Sequence, residues 1–209
     1  MYIKIINRFL KRFGIKTISS DGKIVYLTFD DGPEPEITEF VLEELAKYNF
    51  KATFFCRGDN VEKNPELLAL LRKQGHTIGN HSYGHLYAGE VSAISFIADV
   101  EKADVLLHAN LFRPPHGSLT LKTWLGLRNK YQIVYWSLNS GDSDSTQFNR
   151  QSAIEYLKAR TNPGAIILFH FCHMHEKETR MLLPEYLKWL HSNGYQSAAI
   201  TIGSKHNKV

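Results

Sequence analysis

The chain has 209 residues, of which 43% are hydrophobic and 22% charged, with a formal net charge of +4. That profile suits one globular domain with a sizeable core and excludes a disordered or fibrous chain. No apolar run is long enough to span a bilayer, and two cysteines, Cys56 and Cys172, are too few for a disulfide framework and read as buried free thiols.

The charge sits at one end. Lys4, Arg8, Lys11, Arg12 and Lys16 fall in residues 1–20 without a single acid, so the rest of the chain is near neutral. A near-neutral body lacks the basic face that nucleic-acid binding requires, and no nucleic-acid partner is expected. Residues 1–18 read as an amphipathic helix, with Tyr2, Ile5, Ile6, Phe9, Leu10 and Phe13 on one side and the basic residues on the other. Charges interrupt the apolar residues throughout and no small-residue cleavage site follows, unlike a signal peptide. The helix either lies on an anionic membrane surface or packs on the domain. Compartment and oligomeric state stay open, with a cytoplasmic, peripheral-membrane or cell-envelope setting all compatible. The expected division is a basic segment over 1–20, a main folded domain over 21–204 and a tail over 205–209.

From Ile24 strand and helix patterns alternate. Strands are expected at Ile24–Phe29, Ala52–Cys56, Thr77–Gly79, Leu111–Arg113, Ile133–Leu138, Ala165–His170 and Ser197–Thr201. Helices are expected at Glu34–Tyr48, from Pro65 to Gln74 with Asn64 as cap and Gly75 as stop, and at Ser92–His108, Leu119–Asn129, Asn149–Arg160 and Lys177–Ser192. Strands separated by helices must be mostly parallel. The fold class is therefore α/β: a distorted (β/α)7 barrel, with an open doubly wound sheet as the alternative.

Polar residues gather where strands end. Asp30 and Asp31 close the first strand, His81 and His85 follow the third, Arg113 ends the fourth, Asp142 follows the fifth and His170 ends the sixth. In parallel barrels those ends build the active site. Neighbouring strand residues point opposite ways, so Asp30 and Asp31 can take different jobs. His81 and His85, four apart, would share one face of a helical turn, and a carboxylate from another loop would complete a three-ligand catalytic metal set. Arg113, held before two prolines, can orient a carboxylate. Taken singly, Asp-Gly-Pro is also a turn, the histidines are also loop residues, and His170 is also a core residue.

Together, in this order, Thr-Phe-Asp-Asp-Gly at 28–32, His-Ser-x-x-His at 81–85, Arg-x-Pro-x-Gly at 113–117, the acidic loop after the Trp136 strand, and Leu-Phe-His at 168–170 resemble the polysaccharide deacetylase family. This is the NodB-homology group, carbohydrate esterase family four, and the likeness spans residues 24–202. The resemblance implies a distorted barrel of fewer than eight units and a hydrolase that removes acetyl groups from a glycan. It implies that Asp31, His81 and His85 hold a divalent metal, zinc foremost, with cobalt or nickel also accepted. It implies Asp30 as general base, oriented by Arg113, and His170 as general acid, oriented by Asp142. It implies an oxyanion donor in the backbone N–H of His116, with Pro114, Trp136 and Leu168 lining the substrate site.

Three departures stand out. His116 replaces the aromatic residue usual at that position. Asn139 and Ser143 replace the first acid and the Trp of the Asp-x-x-Asp-Trp loop, so the acetyl-pocket wall is open or supplied by Phe148 or Phe171. Phe171-Cys172-His173-Met174-His175 makes His173 and His175 candidates for an extra metal or substrate contact, with a plain loop histidine as the alternative for each. N-deacetylation of N-acetylhexosamine units in peptidoglycan or chitin oligomers leads. O-deacetylation of an acetylated xylan, deacylation of a membrane glycolipid and a noncatalytic carbohydrate-binding relative stand behind it.

Overall fold

The computed structural model describes residues 9–201 apart from 145 and 147. Eight strands form one parallel sheet: β1 Ile24–Asp30, β2 Ala52–Cys56, β3 Thr77–Asn80, β4 Leu111–Phe112, β5 Gln132–Ile133, β6 Leu138–Asn139, β7 Ile166–His170 and β8 Gln196–Ser197. Their order is β5-β4-β3-β2-β1-β7-β6, with β8 on the first residues of β1. The central strands β1, β2 and β7 read as near-continuous apolar runs rather than alternating ones, because a parallel sheet covered on both faces buries every position. Phe29 shows why: it is fully buried and its ring lies 5.1 Å from Phe54 and 5.8 Å from Phe169. Truncating such a residue to Ala costs about 3–5 kcal/mol.

The helices among the described residues are α1 Ile37–Ala46, α2 Gly58–Lys63, α3 Pro65–Lys73, α4 Ala93–Leu107, α5 Leu121–Leu127, α6 Arg150–Arg160 and α7 Glu176–Ser192. In α7, Leu182, Leu183, Tyr186, Leu187 and Leu190 recur at helical spacing and are all buried, in one cluster with Ile37, Val41 and Leu45 of α1. Pro65 opens α3 and Gly75, at φ +78°, closes it as expected. Asn64 precedes that helix without capping it through its side chain, whose amide nitrogen donates to the carbonyl of Asn60.

The expected distorted α/β barrel is present as a half-barrel, whose edge strands β5 and β6 do not pair with each other. Three finer points differ from the sequence pattern. The single strand foreseen at 133–138 is broken because Arg113 claims its carbonyls, donating to Val134 (3.3 Å) and Tyr135 (3.0 Å). The short helix α2, with its Gly-Asp-Asn start, lacks the apolar periodicity that would have announced it. The helix foreseen over 1–18 is different where it can be described. Only Phe9–Leu10 and a 3-10 turn at Lys11–Phe13 are helical, and residues 1–8 lie outside the described residues. From Ile15 the chain is extended, bridging Val134 and Ala165, so it laces one side of the opening to the other. Ladder bonds from Ile15 to Ile133 and from Ile18 to Gly164 explain that choice over helix.

Register places the site. Asp30 lies opposite His170 on β7 and opposite Phe55 on β2. Cys56 pairs with Asn80, and Asn80 with Phe112. Asp30, His81, Arg113 and His170 therefore reach the carboxyl ends of adjacent strands at nearly one level.

Candidate active site

Those strand ends floor a cleft of about 440 Å³. Of the residues singled out from sequence, Asp30, Asp31, His81, His85, Pro114, His116, Trp136, Leu168 and His170 line it. Arg113 and Asp142 lie behind it, both fully buried.

Asp30 is the last residue of β1. One Nη1 of Arg113 donates to its Oδ1 (2.7 Å) and also to Thr28 Oγ1 (2.8 Å). The guanidinium plane rests 4.1 Å from the centre of the Phe55 ring. Burial pushes the Asp30 carboxyl up, Arg113 and His170 pull it back, and the balance leaves it at about 6.

Asp31 does not point away from Asp30 as strand alternation would have it. It adopts φ +81°, which turns its carboxylate into the same cleft. Its Oδ1 lies 3.4 Å from His81 Nε2 and 3.2 Å from His85 Nε2. The two histidines are not on a helical turn either. They sit on an irregular loop with Ser82 and His85 at positive φ. Side chains hold that loop: Asn80 Oδ1 accepts from Ser82 N–H, Ser82 Oγ from His85 N–H, and the Asp99 carboxylate from the N–H groups of Tyr83 and Gly84.

The donor set suits a cation. Asp31 Oδ1 is buried with no hydrogen-bond partner among the described residues. Burial lowers His81 and His85 to about 4, so both rings are neutral near pH 7. His81 Nδ1 lies 2.7 Å from the Arg113 carbonyl. Donation there leaves Nε2 with a lone pair facing Asp31, the arrangement metal-ligating histidines use. Lone pairs on three ligand atoms converging without a proton between them repel unless a cation joins them, and an unpaired buried carboxylate oxygen is otherwise costly.

His170 closes β7. Its Nδ1 donates to Asp142 Oδ1 (2.8 Å) and its backbone N–H to Asp142 Oδ2 (2.7 Å). Ser140 and Thr179 hydroxyls donate to the same carboxylate (2.7 and 2.9 Å). Burial opposes protonation of His170, but the Asp142 charge and hydrogen bond outweigh it and raise the ring to about 9.

Pro114 leads into a 3-10 turn, Pro115–Gly117, with His116 at φ +56° and Gly117 at φ +60°. A Cβ on Gly117 would come within 2.7 Å of the Trp136 ring, so the close approach and the backbone both need glycine there. The His116 ring packs on His85, 4.5 Å between centres. Neither Phe148 nor Phe171 supplies the missing wall. Phe148 packs against the core, and Phe171 is fully buried against Phe29 and Phe54. Ser143, Cys172 and Met174 are among the residues that line the cleft. His173 is half exposed and paired with Glu176, whereas His175 enters the cleft. Thr28, Ser140 and Thr179 escaped sequence reasoning because their bonds are long-range or ordinary in composition. Glu34 and Arg57, on the cleft wall, escaped it too.

Fold and site together define an α/β half-barrel hydrolase, with a carboxyl and an imidazole facing each other beside an Asp–His–His group that could hold a metal. The chain belongs to the polysaccharide deacetylase family, whose model matches residues 17–136. Asp142 and His170 lie beyond that match. The chain is 31% identical over 190 residues to a peptidoglycan-N-acetylglucosamine deacetylase of Bacillus cereus, covering 88% of this chain and 89% of that protein. It is 27% identical to the peptidoglycan-N-acetylmuramic acid deacetylase PdaC of Bacillus subtilis, covering 89% of this chain but only 40% of that one. The crystal structure of the Bc1960 peptidoglycan N-acetylglucosamine deacetylase superposes with a TM-score of 0.82 at 26% identity, over 92% of this chain and 93% of that one.

Proposed function

We propose that this protein hydrolyses the N-acetyl group of N-acetylhexosamine units in peptidoglycan. One observation carries the reading. A buried carboxyl poised at about 6 and an imidazole raised to about 9 face each other in register beside a convergent Asp–His–His set. Groups with opposite protonation preferences in one cleft suit a base and an acid acting in turn. The relatives named above act on this polymer, which favours it over xylan and other glycans.

Asp31, His81 and His85 would hold the cation, for which a carboxylate and two imidazoles suit zinc, with cobalt or nickel as alternatives. Such a cation supplies Lewis acidity that polarises the acyl carbonyl and readies water for attack. Asp30 takes the proton of the attacking water at Oδ2, because Arg113 occupies Oδ1. Arg113 fixes the carboxylate plane and keeps it from rising further toward neutrality. The backbone N–H of His116 donates to the oxyanion as charge develops there. His170 delivers its Nε2 proton to the departing sugar nitrogen, which leaves poorly as an anion, and Asp142, bonded to Nδ1–H, keeps the ring protonated until then. Pro114, Trp136 and Leu168 bound the sugar and acyl group.

The test is acetate release from peptidoglycan by the purified protein, stripped of metal and then resupplied with zinc. Release that returns with zinc supports the reading; release unaffected by stripping removes it.

The amino-terminal segment supports a peripheral membrane contact. Phe9 and Phe13 are exposed, Phe13 touches Trp124, and the neighbouring helix α5 exposes Leu121 and Leu125 beside Lys122 and Arg128. An apolar face edged with bases suits anionic lipid. Phe13→Ser with Leu125→Ser should weaken sedimentation with anionic vesicles, and unchanged sedimentation would remove the proposal.

A further inference from the structure

The cleft holds a second group of ligand atoms. Asp31, Cys172 and His175 place a carboxylate oxygen, a thiol sulfur and a ring nitrogen within 4.8 Å of one another. Cys172 follows the end of β7 and His175 ends the 3-10 turn after it. Burial and the Asp31 charge push the Cys172 thiol up to about 12, and the backbone N–H groups of His175 and Met174 that face its sulfur offset this only in part. His175 stacks edge-on against His170, 5.0 Å between ring centres. Its Nδ1 is buried and has no hydrogen-bond partner among the described residues. A buried ring nitrogen without a partner costs free energy unless something binds it.

We propose that Asp31, Cys172 and His175 form a second divalent-cation site, distinct from the Asp31–His81–His85 set and joined to it through the shared carboxylate. A thiolate, an imidazole and a carboxylate select a borderline-soft cation such as zinc or cobalt over magnesium or calcium. As the sulfur binds, its proton passes to solvent. His173, two residues from His175, stays outside the site, committed to Glu176 on the exposed side. A carboxylate has two oxygens and can serve two cations at once, so sharing Asp31 does not force the two sites to exclude each other. The proposal rests on the first site only in that shared residue.

The experiment is a titration of the metal-free protein with Co2+, read as bound metal per chain and as thiolate-to-Co2+ charge-transfer absorption. The wild type should bind two equivalents and develop the sulfur band. Cys172→Ser should bind one equivalent without the band. His175→Ala should weaken binding of that same equivalent by about 10-fold or more, in line with the loss of a ligand or its close support. His81→Ala should bind one equivalent and keep the band. One equivalent in the wild type, two equivalents without a sulfur band, or a band lost in His81→Ala would each overturn the second site. Failure of His81→Ala to lose an equivalent would instead count against the first site, so the two readings fail separately.

Discussion

The two halves of the proposed acid–base pair are built alike and tuned apart. On the β1 side a buried carboxyl meets a buried guanidinium, with Thr28 beside them; on the β7 side a partly exposed imidazole meets a buried carboxylate, with Thr179 beside them. The charge partner wins in the second case and only moderates the outcome in the first. Arg113 spreads its donors over Thr28, Asp30 and the carbonyls of Val134 and Tyr135, and gives Asp30 one bond. Asp142 receives two bonds from His170 and two more from Ser140 and Thr179, which stabilise it as an anion. An ion pair therefore sets a pKa through how much of the partner is devoted to the group, not by its presence alone.

That contrast can be broken at each end. Asp30→Asn should give the largest effect: turnover should fall by about 10²–10⁴-fold while bound metal stays, since general-base catalysis contributes on that order. Near-normal rates in this variant would dissolve the contrast altogether. Arg113→Met strips the guanidinium bonded to Asp30 in a fully buried setting. Breaking such a pair costs about 3–5 kcal/mol, to be read from denaturant midpoints, and the acidic limb of kcat/KM should move to higher pH as Asp30 becomes harder to ionise.

Asp142→Asn probes the other end. The His170 pKa is raised above its unfolded value, so the pair stabilises the fold fully below about 6.5 and loses that contribution as pH rises through about 9. The stability gap between wild type and Asp142→Asn should therefore narrow from neutral pH to above 9. In activity, the alkaline limb should shift downward from about 9 as the imidazole loses its charge partner. An unmoved limb would mean that another group sets it. Thr179→Val is the mildest change: one bond to Asp142 is lost, costing about 1 kcal/mol, with a small downward shift of the same limb.

Much of this was legible in the chain itself, for identifiable reasons. Strands buried on both faces announce themselves as apolar runs, so β1, β2 and β7 could be placed, and their polar end residues with them. What stayed hidden depends on backbone conformation or distant partners. Strand alternation misplaces Asp31 because nothing local to the sequence reveals its φ of +81°. The spacing of His81 and His85 suggested a helical turn, but the loop is shaped by Asn80, Ser82 and Asp99, and Asp99 lies on a different element. The break between β5 and β6 follows from Arg113 taking carbonyls twenty residues further along. The extended course of Ile15–Ile18 is likewise imposed by the edges it bridges, over a local pattern that favoured helix.

The claim beneath all of this is that Asp31, His81 and His85 share one cation. Crystals of the zinc-loaded protein, measured on both sides of the zinc absorption edge, test it directly. The account predicts an anomalous peak about 2.0–2.2 Å from a carboxylate oxygen of Asp31 and from a ring nitrogen of each histidine. Zinc density away from these three side chains, or a cleft in which the two imidazoles bind no ion, would contradict it.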